Sequence, residues 1–383
     1  MQLNPALIGL ACFSCQTPHD PRQLQTVCRS CGLPLSVDYA LTPETLPLAK
    51  LRGRVPSLWR YAEVLPIACE SAVTLSEGFT PLLEVAASRK PQAAGRLFIK
   101  DESRNPTGSF KARGLCLAVT MAKALGARAL QAPSAGNAAG ALAAYGAAAQ
   151  LPVTVAMPDD TPRAFIDECR LYGARVELVK GTIADASKWL KANGDPSAFD
   201  VSTLKEPYRI EGKKTMAYEL YEQLEGDLPQ VIFYPTGGGT GLVGMWKAFR
   251  EMRALGWPLP RLPRLVSVQA AGCAPVVKGF AAHAEKTEPW QDAHTAAYGL
   301  RVPSPIGGFL CLRALYETGG TAVAVPEEQI GPATEELARM SGIDVCPEGG
   351  AAWAALRTLR ASGWVKEGES VVVFNTGTGL KYR

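Results

Sequence analysis

At 383 residues, with 47% hydrophobic and 20% charged residues, the chain has room for roughly two or three domains of about 150 residues each and lacks the composition of a disordered protein. Forty Lys and Arg against 36 Asp and Glu leave a net charge of +4 with no dense basic run, which excludes a nucleic-acid track. The longest apolar stretch, residues 138–149, is built mainly of Ala and Gly and is too short and too weakly apolar for a membrane-spanning helix.

The chain begins with a short apolar run, Leu7-Ile-Gly-Leu-Ala11, leading into Cys12. No Lys or Arg precedes it, so it does not read as an export signal. Ten cysteines are too sparse for a disulfide scaffold, and a reducing cytoplasm is the expected compartment. Four of them form two CxxC pairs, Cys12 with Cys15 and Cys28 with Cys31, separated by 12 residues. Each pair makes a tight turn presenting two sulfurs, so residues 1–41 read as a zinc-ribbon-like module whose four protein ligands leave no position open for chemistry. Buried free thiols are the plainer alternative. The three histidines, His19, His283 and His294, form no pattern and are expected at the surface or in loops.

Pro43, Pro47, Pro56 and Pro66 mark a connecting region at the start of the larger unit, residues 42–383. From residue 97 onward, short β-branched runs at 153–157, 176–179, 231–234, 265–268, 322–325 and 371–374 alternate with longer Ala- and Leu-rich segments of helical spacing. This alternation predicts an α/β fold with mainly parallel sheets. Glycine-containing loops recur after or within these units, and in open α/β sheets such loops gather ligands at the carboxyl ends of the strands.

Four loops carry chemistry. The first, Lys100-Asp-Glu-Ser-Arg-Asn-Pro-Thr-Gly-Ser-Phe-Lys111-Ala-Arg-Gly114, lies between a strand at 96–99 and a helix at 115–125. A lysine at a Gly-containing helix entrance, held against an apolar wall, has a lowered pKa and forms imines with aldehydes; most lysines are solvated surface charges. The second, Ser134-Ala-Gly-Asn137-Ala138, offers backbone N–H groups and an amide, though Ser and Asn before a helix are also ordinary caps. The third, Pro235-Thr-Gly-Gly-Gly-Thr-Gly241, runs from the strand at 231–234 into a helix at 242–250. It can form a nest of N–H donors around a phosphate but lacks the Walker ending and the dinucleotide glycine spacing. The fourth, Asn375-Thr376-Gly-Thr378-Gly379-Leu-Lys381, presents a threonine hydroxyl that can face a heterocyclic nitrogen. A terminal turn explains its glycines equally well.

In this order, from Glu77-Gly-Phe-Thr-Pro81 to Lys381, the loops resemble the fold-type-II pyridoxal-phosphate (PLP) enzymes and, within them, the threonine synthases. The resemblance implies a tryptophan-synthase-β-like fold of two three-layer α/β domains. The smaller, at about 116–222, would be inserted in the larger, with the cofactor between them. It also implies that Lys111 holds PLP, Phe110 packs beside its ring, Asn137 meets the phenolate oxygen, Gly237, Gly238, Gly239, Thr240 and Gly241 bind the phosphate, and Thr376 meets the pyridine nitrogen. Ser134 and Gly136 would line the substrate carboxylate site. The segment Pro207-Tyr-Arg209-Ile-Glu-Gly-Lys-Lys-Thr215 matches the threonine synthases more than the dehydratases, with Arg209 at the family's substrate phosphate. Several threonine synthases carry a similar N-terminal ribbon. The implied substrate is a small amino acid, O-phosphohomoserine, converted to threonine and phosphate by a soluble enzyme, a homodimer being one possible assembly.

The chain departs from that pattern in four places. Ala112 stands where Asp commonly follows the lysine, Ala138 where a Thr often follows the loop Asn, and Thr203 and Leu204 where an Asn-Ser pair precedes the arginine segment. Lys205, Lys213 and Lys214 could add positive charge for a substrate phosphate, and Glu206 would repel it if it faced the site. Two other readings stand beside this one: serine or threonine dehydratase-type β-elimination, and a zinc-ribbon binding protein whose large unit has lost catalysis.

Overall fold

A computed structural model of the chain describes residues 2–86 and 95–383. Three sheets organise the described residues. Strands β1 (Leu7–Cys12), β2 (Pro18–His19) and β3 (Leu35–Tyr39) form a small antiparallel sheet in the order β2-β1-β3. Its inward-facing Leu10, Leu35 and Val37 share one core with Leu115, Leu142 and Val155 of the main body. Cys12 and Cys28 are buried in that core too, so the module is docked by apolar burial rather than merely tethered.

The central sheet has six strands. They are β4 (Leu82–Glu84), β5 (Leu97–Asp101), β10 (Val231–Pro235), β11 (Arg264–Ala270), β12 (Thr321–Val325) and β13 (Val371–Asn375), the intervening numbers belonging to the third sheet. Their order is β12-β11-β10-β13-β5-β4, parallel throughout except for β4 on β5. The period of two along each strand separates two cores. Val231, Phe233, Val371 and Val373 face Leu356 and Trp353, while Ile232, Tyr234, Val372 and Phe374 face Leu242 and Trp246. Strands buried on both faces must be apolar at nearly every position, as β10 and β13 are; β5 is apolar over Leu97–Ile99 and ends on the buried Lys100 and Asp101, which are paired or hydrogen-bonded.

The third sheet is wholly parallel, in the order β8-β7-β6-β9, from β6 (Leu130–Pro133), β7 (Val153–Pro158), β8 (Arg175–Val179) and β9 (Phe199–Asp200). The helices are α1 (Lys111–Ala124), α2 (Asn137–Ala149), α3 (Arg163–Leu171), α4 (Ile183–Asn193), α5 (Arg209–Gln223), α6 (Thr240–Ala254), α7 (Pro275–Ala281), α8 (Gly308–Glu317), α9 (Glu327–Ser341) and α10 (Pro347–Ala361). Among the described residues no helix is long and apolar enough to cross a membrane.

Two local expectations change. Helix α1 begins at Lys111, four residues before the expected 115. Gly114 is a helical residue there, and a side chain on it would meet the Arg209 carbonyl at 3.0 Å and Lys213 Cε at 2.9 Å; its glycine marks where α5 crosses α1, not a loop. His19 is not a surface residue either. Pairing of β2 on β1 turns it inward, 7% exposed, with Nδ1 2.9 Å from Gln25 Oε1. His283 and His294 are exposed.

Candidate active site

The four loops meet because the strands that precede them end on the same side of their sheets. Phe110 N–H donates to the Thr376 carbonyl at 3.1 Å, Thr378 N–H to the Gly108 carbonyl at 2.8 Å, and Ser109 bridges to Gly377. Asn375 Nδ2 donates to Asp101 Oδ1 at 2.9 Å, tying the end of β13 to the end of β5. The Asn137 loop joins through Lys381, whose Nζ donates to the Thr107 carbonyl at 2.7 Å, to Asn137 Oδ1 at 3.2 Å and to Glu168 at 2.7 Å. With its oxygen held by that ammonium, the Asn137 amide presents its NH2 group to the site. The glycine loop closes the ring: Tyr234, at the end of β10, packs edge-on to Phe110 with ring centroids 5.9 Å apart.

Lys111 is the first residue of α1 and lies over the Phe110 ring, Nζ 4.1 Å from its centroid. Burial, then the charge of Arg209, push its amine down to about 8, against an opposing pull from Glu348. The first turn of α1 is pinned from beneath by Arg113, which donates to Glu102 at 2.6 and 2.8 Å and to Glu219 at 2.8 Å, all three fully buried. Lys111 is therefore an amine with its helix fixed and its proton loosened.

In the glycine loop, Gly239 caps α6 with φ +80° and a Cβ there would collide with Cys311 Sγ. Only glycine satisfies both conditions. The loop delivers Thr240 and the free N–H groups of the first turn of α6 to the site. Beside it stands Arg209, 2% exposed, whose Nη1 donates to the Val201 carbonyl at 2.9 Å. Its Nε and Nη2 have no hydrogen-bond partner among the described residues. Glu206 does not turn against an anion here: its carboxylate accepts the Tyr208 and Arg209 backbone N–H groups at 2.6 and 2.9 Å and so caps α5. Burial raises its pKa to about 7.

Of the positions that depart from the resemblance, Leu204 is buried in the core and donates nothing. Lys205 lies 3.7 Å from Asp200 and Lys214 is held by Glu211 and Glu251, so neither is free for a ligand. Lys213 is buried inside the site. Ser134 and Gly136 flank the entrance to α2, Ser134 continuing β6 by donating its N–H to the Ala156 carbonyl at 3.0 Å. Thr376 is 5% exposed, its Oγ1 3.7 Å from Cys346 Sγ.

Sequence reasoning missed two neighbours. Glu348, early in α10, accepts from Gly299 N–H at 2.7 Å and from Tyr382 hydroxyl at 2.8 Å. Tyr382 in turn lies 3.5 Å from Asn137 Nδ2. The signal available was the run Cys346-Pro-Glu-Gly-Gly350, an acidic residue in the first turn of a helix following a short loop, which periodicity alone does not single out.

Away from this site, Cys12, Cys15, Cys28 and Cys31 bring four sulfurs within 4.8 Å of one another, an arrangement that can hold a metal ion. Ser14 and Ser30 N–H groups donate to Cys12 and Cys28 Sγ at 3.4 and 3.3 Å.

The sequence profile described as "Pyridoxal-phosphate dependent enzyme" matches residues 73–377. Threonine synthases of Methanosarcina acetivorans and Methanocaldococcus jannaschii are each 34% identical over 373 residues, covering 97% of this chain and 92% of theirs. That of Mycobacterium tuberculosis is 34% identical over 324 residues, covering 84% and 87%. Among solved structures, maize serine racemase aligns with a TM-score of 0.68 at 19% identity over 89% of this chain and 94% of that one, a likeness of fold. Tomato threonine deaminase isoform 2 aligns at 0.65 and 22% identity, covering 78% and 83%. A profile spanning most of the chain, and relatives a third identical along nearly all of it, place this protein in the pyridoxal-phosphate-dependent enzyme family, as a lyase of the threonine synthase branch.

Proposed function

We propose that the chain converts O-phosphohomoserine and water to threonine and phosphate, with Lys111 as the residue that carries PLP. The residues suit the cofactor: a primary amine lowered to about 8, an aromatic neighbour, a glycine loop at a helix N-terminus, and beside it buried Arg209 and Lys213 without carboxylate partners among the described residues. PLP, when bound, supplies the electron sink for carbanion chemistry. Lys111 accepts and returns protons at the substrate carbons. Asn137 donates from its amide toward the phenolate oxygen, Thr376 offers a hydroxyl to the ring nitrogen, and Gly237, Gly238, Gly239, Thr240 and Gly241 hold the cofactor phosphate. Ser134 and Gly136 receive the substrate carboxylate.

The observation that carries the substrate is Arg209. A guanidinium 2% exposed with two nitrogens unpartnered is costly unless an anion completes it. Two parallel N–H donors match a phosphate. The buried Leu204 and the small Ala138 reduce the donors available, which favours serine or threonine β-elimination as the second reading. The PLP-loaded protein is incubated separately with O-phosphohomoserine, serine and threonine, with Lys111→Ala as control. Equal phosphate and threonine from the first substrate alone is the expected result. Oxo acid from serine or threonine, with O-phosphohomoserine inert, would transfer the assignment. Arg209→Ala should lower kcat/KM for O-phosphohomoserine by roughly 10- to 100-fold, the value of a charged bidentate contact.

For the cysteine cluster we propose a structural zinc. Bonds of about 2.3 Å in a tetrahedron set sulfurs roughly 3.8 Å apart, and Cys12–Cys31, Cys15–Cys28 and Cys15–Cys31 stand at 3.4, 3.6 and 3.5 Å. Elemental analysis should find one zinc per folded chain; none, in folded protein, sinks the assignment.

A further inference from the structure

Lys213 is fully buried and has no carboxylate within ion-pair distance among the described residues. The other fully buried lysines differ. Lys100 donates to Glu219 at 2.8 Å and Lys214 to Glu211 at 2.6 Å. Lys213 donates to a neutral hydroxyl, Thr240 Oγ1, at 2.5 Å. Its Nζ also lies 4.6 Å from the centroid of the Phe110 ring, the ring that Lys111 Nζ approaches at 4.1 Å. Arg209 is four residues earlier on α5, on the same face. Three cations thus cluster beside the glycine loop, and the two nearby acids are engaged elsewhere, Glu206 with backbone N–H groups and Glu348 with the Gly299 N–H and the Tyr382 hydroxyl. Burial, then Arg209 and Lys111, drive the Lys213 amine well below its ordinary pKa. The path for this side chain is built in, since Gly114 leaves open the space through which its stem passes, with Lys213 Cε 2.9 Å from where a Cβ would stand.

We infer that Lys213 is the counter-ion of the cofactor phosphate: with Thr240 and the α6 N-terminus, it forms a cationic seat for the phosphate dianion, leaving Arg209 for the substrate. A buried ammonium with no carboxylate partner needs an anion, and the Thr240 contact places the Lys213 ammonium at the phosphate end of the site. The inference rests on the placement of the cofactor phosphate at the glycine loop proposed above, not on the identity of the substrate.

The test uses PLP and pyridoxal, which share the aldehyde and ring but differ in the phosphate. Their affinities for the apoprotein are measured by absorbance titration for the wild type, Lys213→Met, Lys213→Gln, Lys213→Arg and Thr240→Val. Lys213→Met should weaken PLP on the order of 10- to 100-fold while leaving pyridoxal within about threefold, and Lys213→Arg should recover most of the loss. Lys213→Gln keeps a donor to Thr240 without charge; it should behave as Lys213→Met does and serves if that variant folds poorly. Equal losses for both aldehydes, or no loss for either, overturn the inference. If Thr240→Val erodes the preference for PLP and the Lys213 variants do not, the loop placement stands and Lys213 falls; if neither set does, the loop placement falls too. A rise in KM for O-phosphohomoserine with PLP affinity intact would assign Lys213 to the substrate instead.

Discussion

Lys213 and Lys214 are neighbours on α5, both without solvent exposure, and they sit in opposite electrostatic surroundings. Lys214 belongs to a closed network. It donates to Glu211 at 2.6 Å and Glu251 at 2.9 Å, Lys247 meets the same two carboxylates, and Tyr218 hydroxyl donates to Glu251 at 2.9 Å. Tyr39, from the N-terminal module, completes it by donating to Glu211 at 2.7 Å while its ring lies under both ammoniums at 4.4 and 4.9 Å. Two cations face two anions, and the cluster locks α5, α6 and β3 together. On the adjacent face, Arg209, Lys213 and Lys111 cluster near Glu206 and Glu348, whose carboxylates accept from backbone N–H groups and from the Tyr382 hydroxyl, and Lys213 has no carboxylate partner among the described residues. Balanced burial there would be a structural joint; imbalance makes a receptor, since the missing charge must come from a ligand.

The largest expected effect comes from breaking the balanced side. Lys214→Met leaves Glu211 and Glu251 against Lys247 only, in largely buried surroundings. Removing one partner of a buried ionic cluster costs roughly 3–5 kcal/mol. Urea unfolding should report that loss in apoprotein and PLP-loaded protein alike. A loss confined to one form would mean that the network and the cofactor site are not separate.

How far the sequence carried the reading follows the same division. Short β-branched runs such as residues 371–374 and the glycine loops at 237–241 and 377–379 are local signals, and they mark the central sheet and the loops at its carboxyl ends. Charge pairing is not local. Lys205, Lys213 and Lys214 look equivalent in a list of residues, yet one lies near an acid at the surface, one is neutralised by α6 and one is left bare. Those differences depend on which helix crosses α5, and the helical Gly114 that marks one crossing resembles a loop glycine when read alone. Glu348 and Tyr382 lie 34 residues apart and meet only after α10 and β13 are placed. His19 turns inward for a related reason: strand pairing across a two-residue strand, not hydropathy, sets its face.

The smallest effect sharpens the comparison most, because its sign changes. In the apoprotein, Lys213 is a buried amine whose pKa is depressed by burial, Arg209 and Lys111. The unfolded chain, where lysine titrates near about 10.4, binds a proton that the native state holds poorly. The unfolded state therefore binds more protons, and apoprotein stability should rise with pH toward that value. Lys111, lowered to about 8, contributes in the same direction between its folded value and the unfolded one. Replacing Lys213 with Met removes its share, so at pH 7 Lys213→Met should stabilise the apoprotein by about 1 kcal/mol and flatten the rise between pH 7 and 9. In the PLP-loaded protein the phosphate supplies the missing charge, and the same substitution should destabilise through weaker cofactor binding. Thermal unfolding of both forms at pH 7 and 9 checks it. Lys214→Met lowers stability in both forms; if Lys213→Met did the same, the two faces of α5 would be doing the same job and the receptor reading of the unbalanced one would fail.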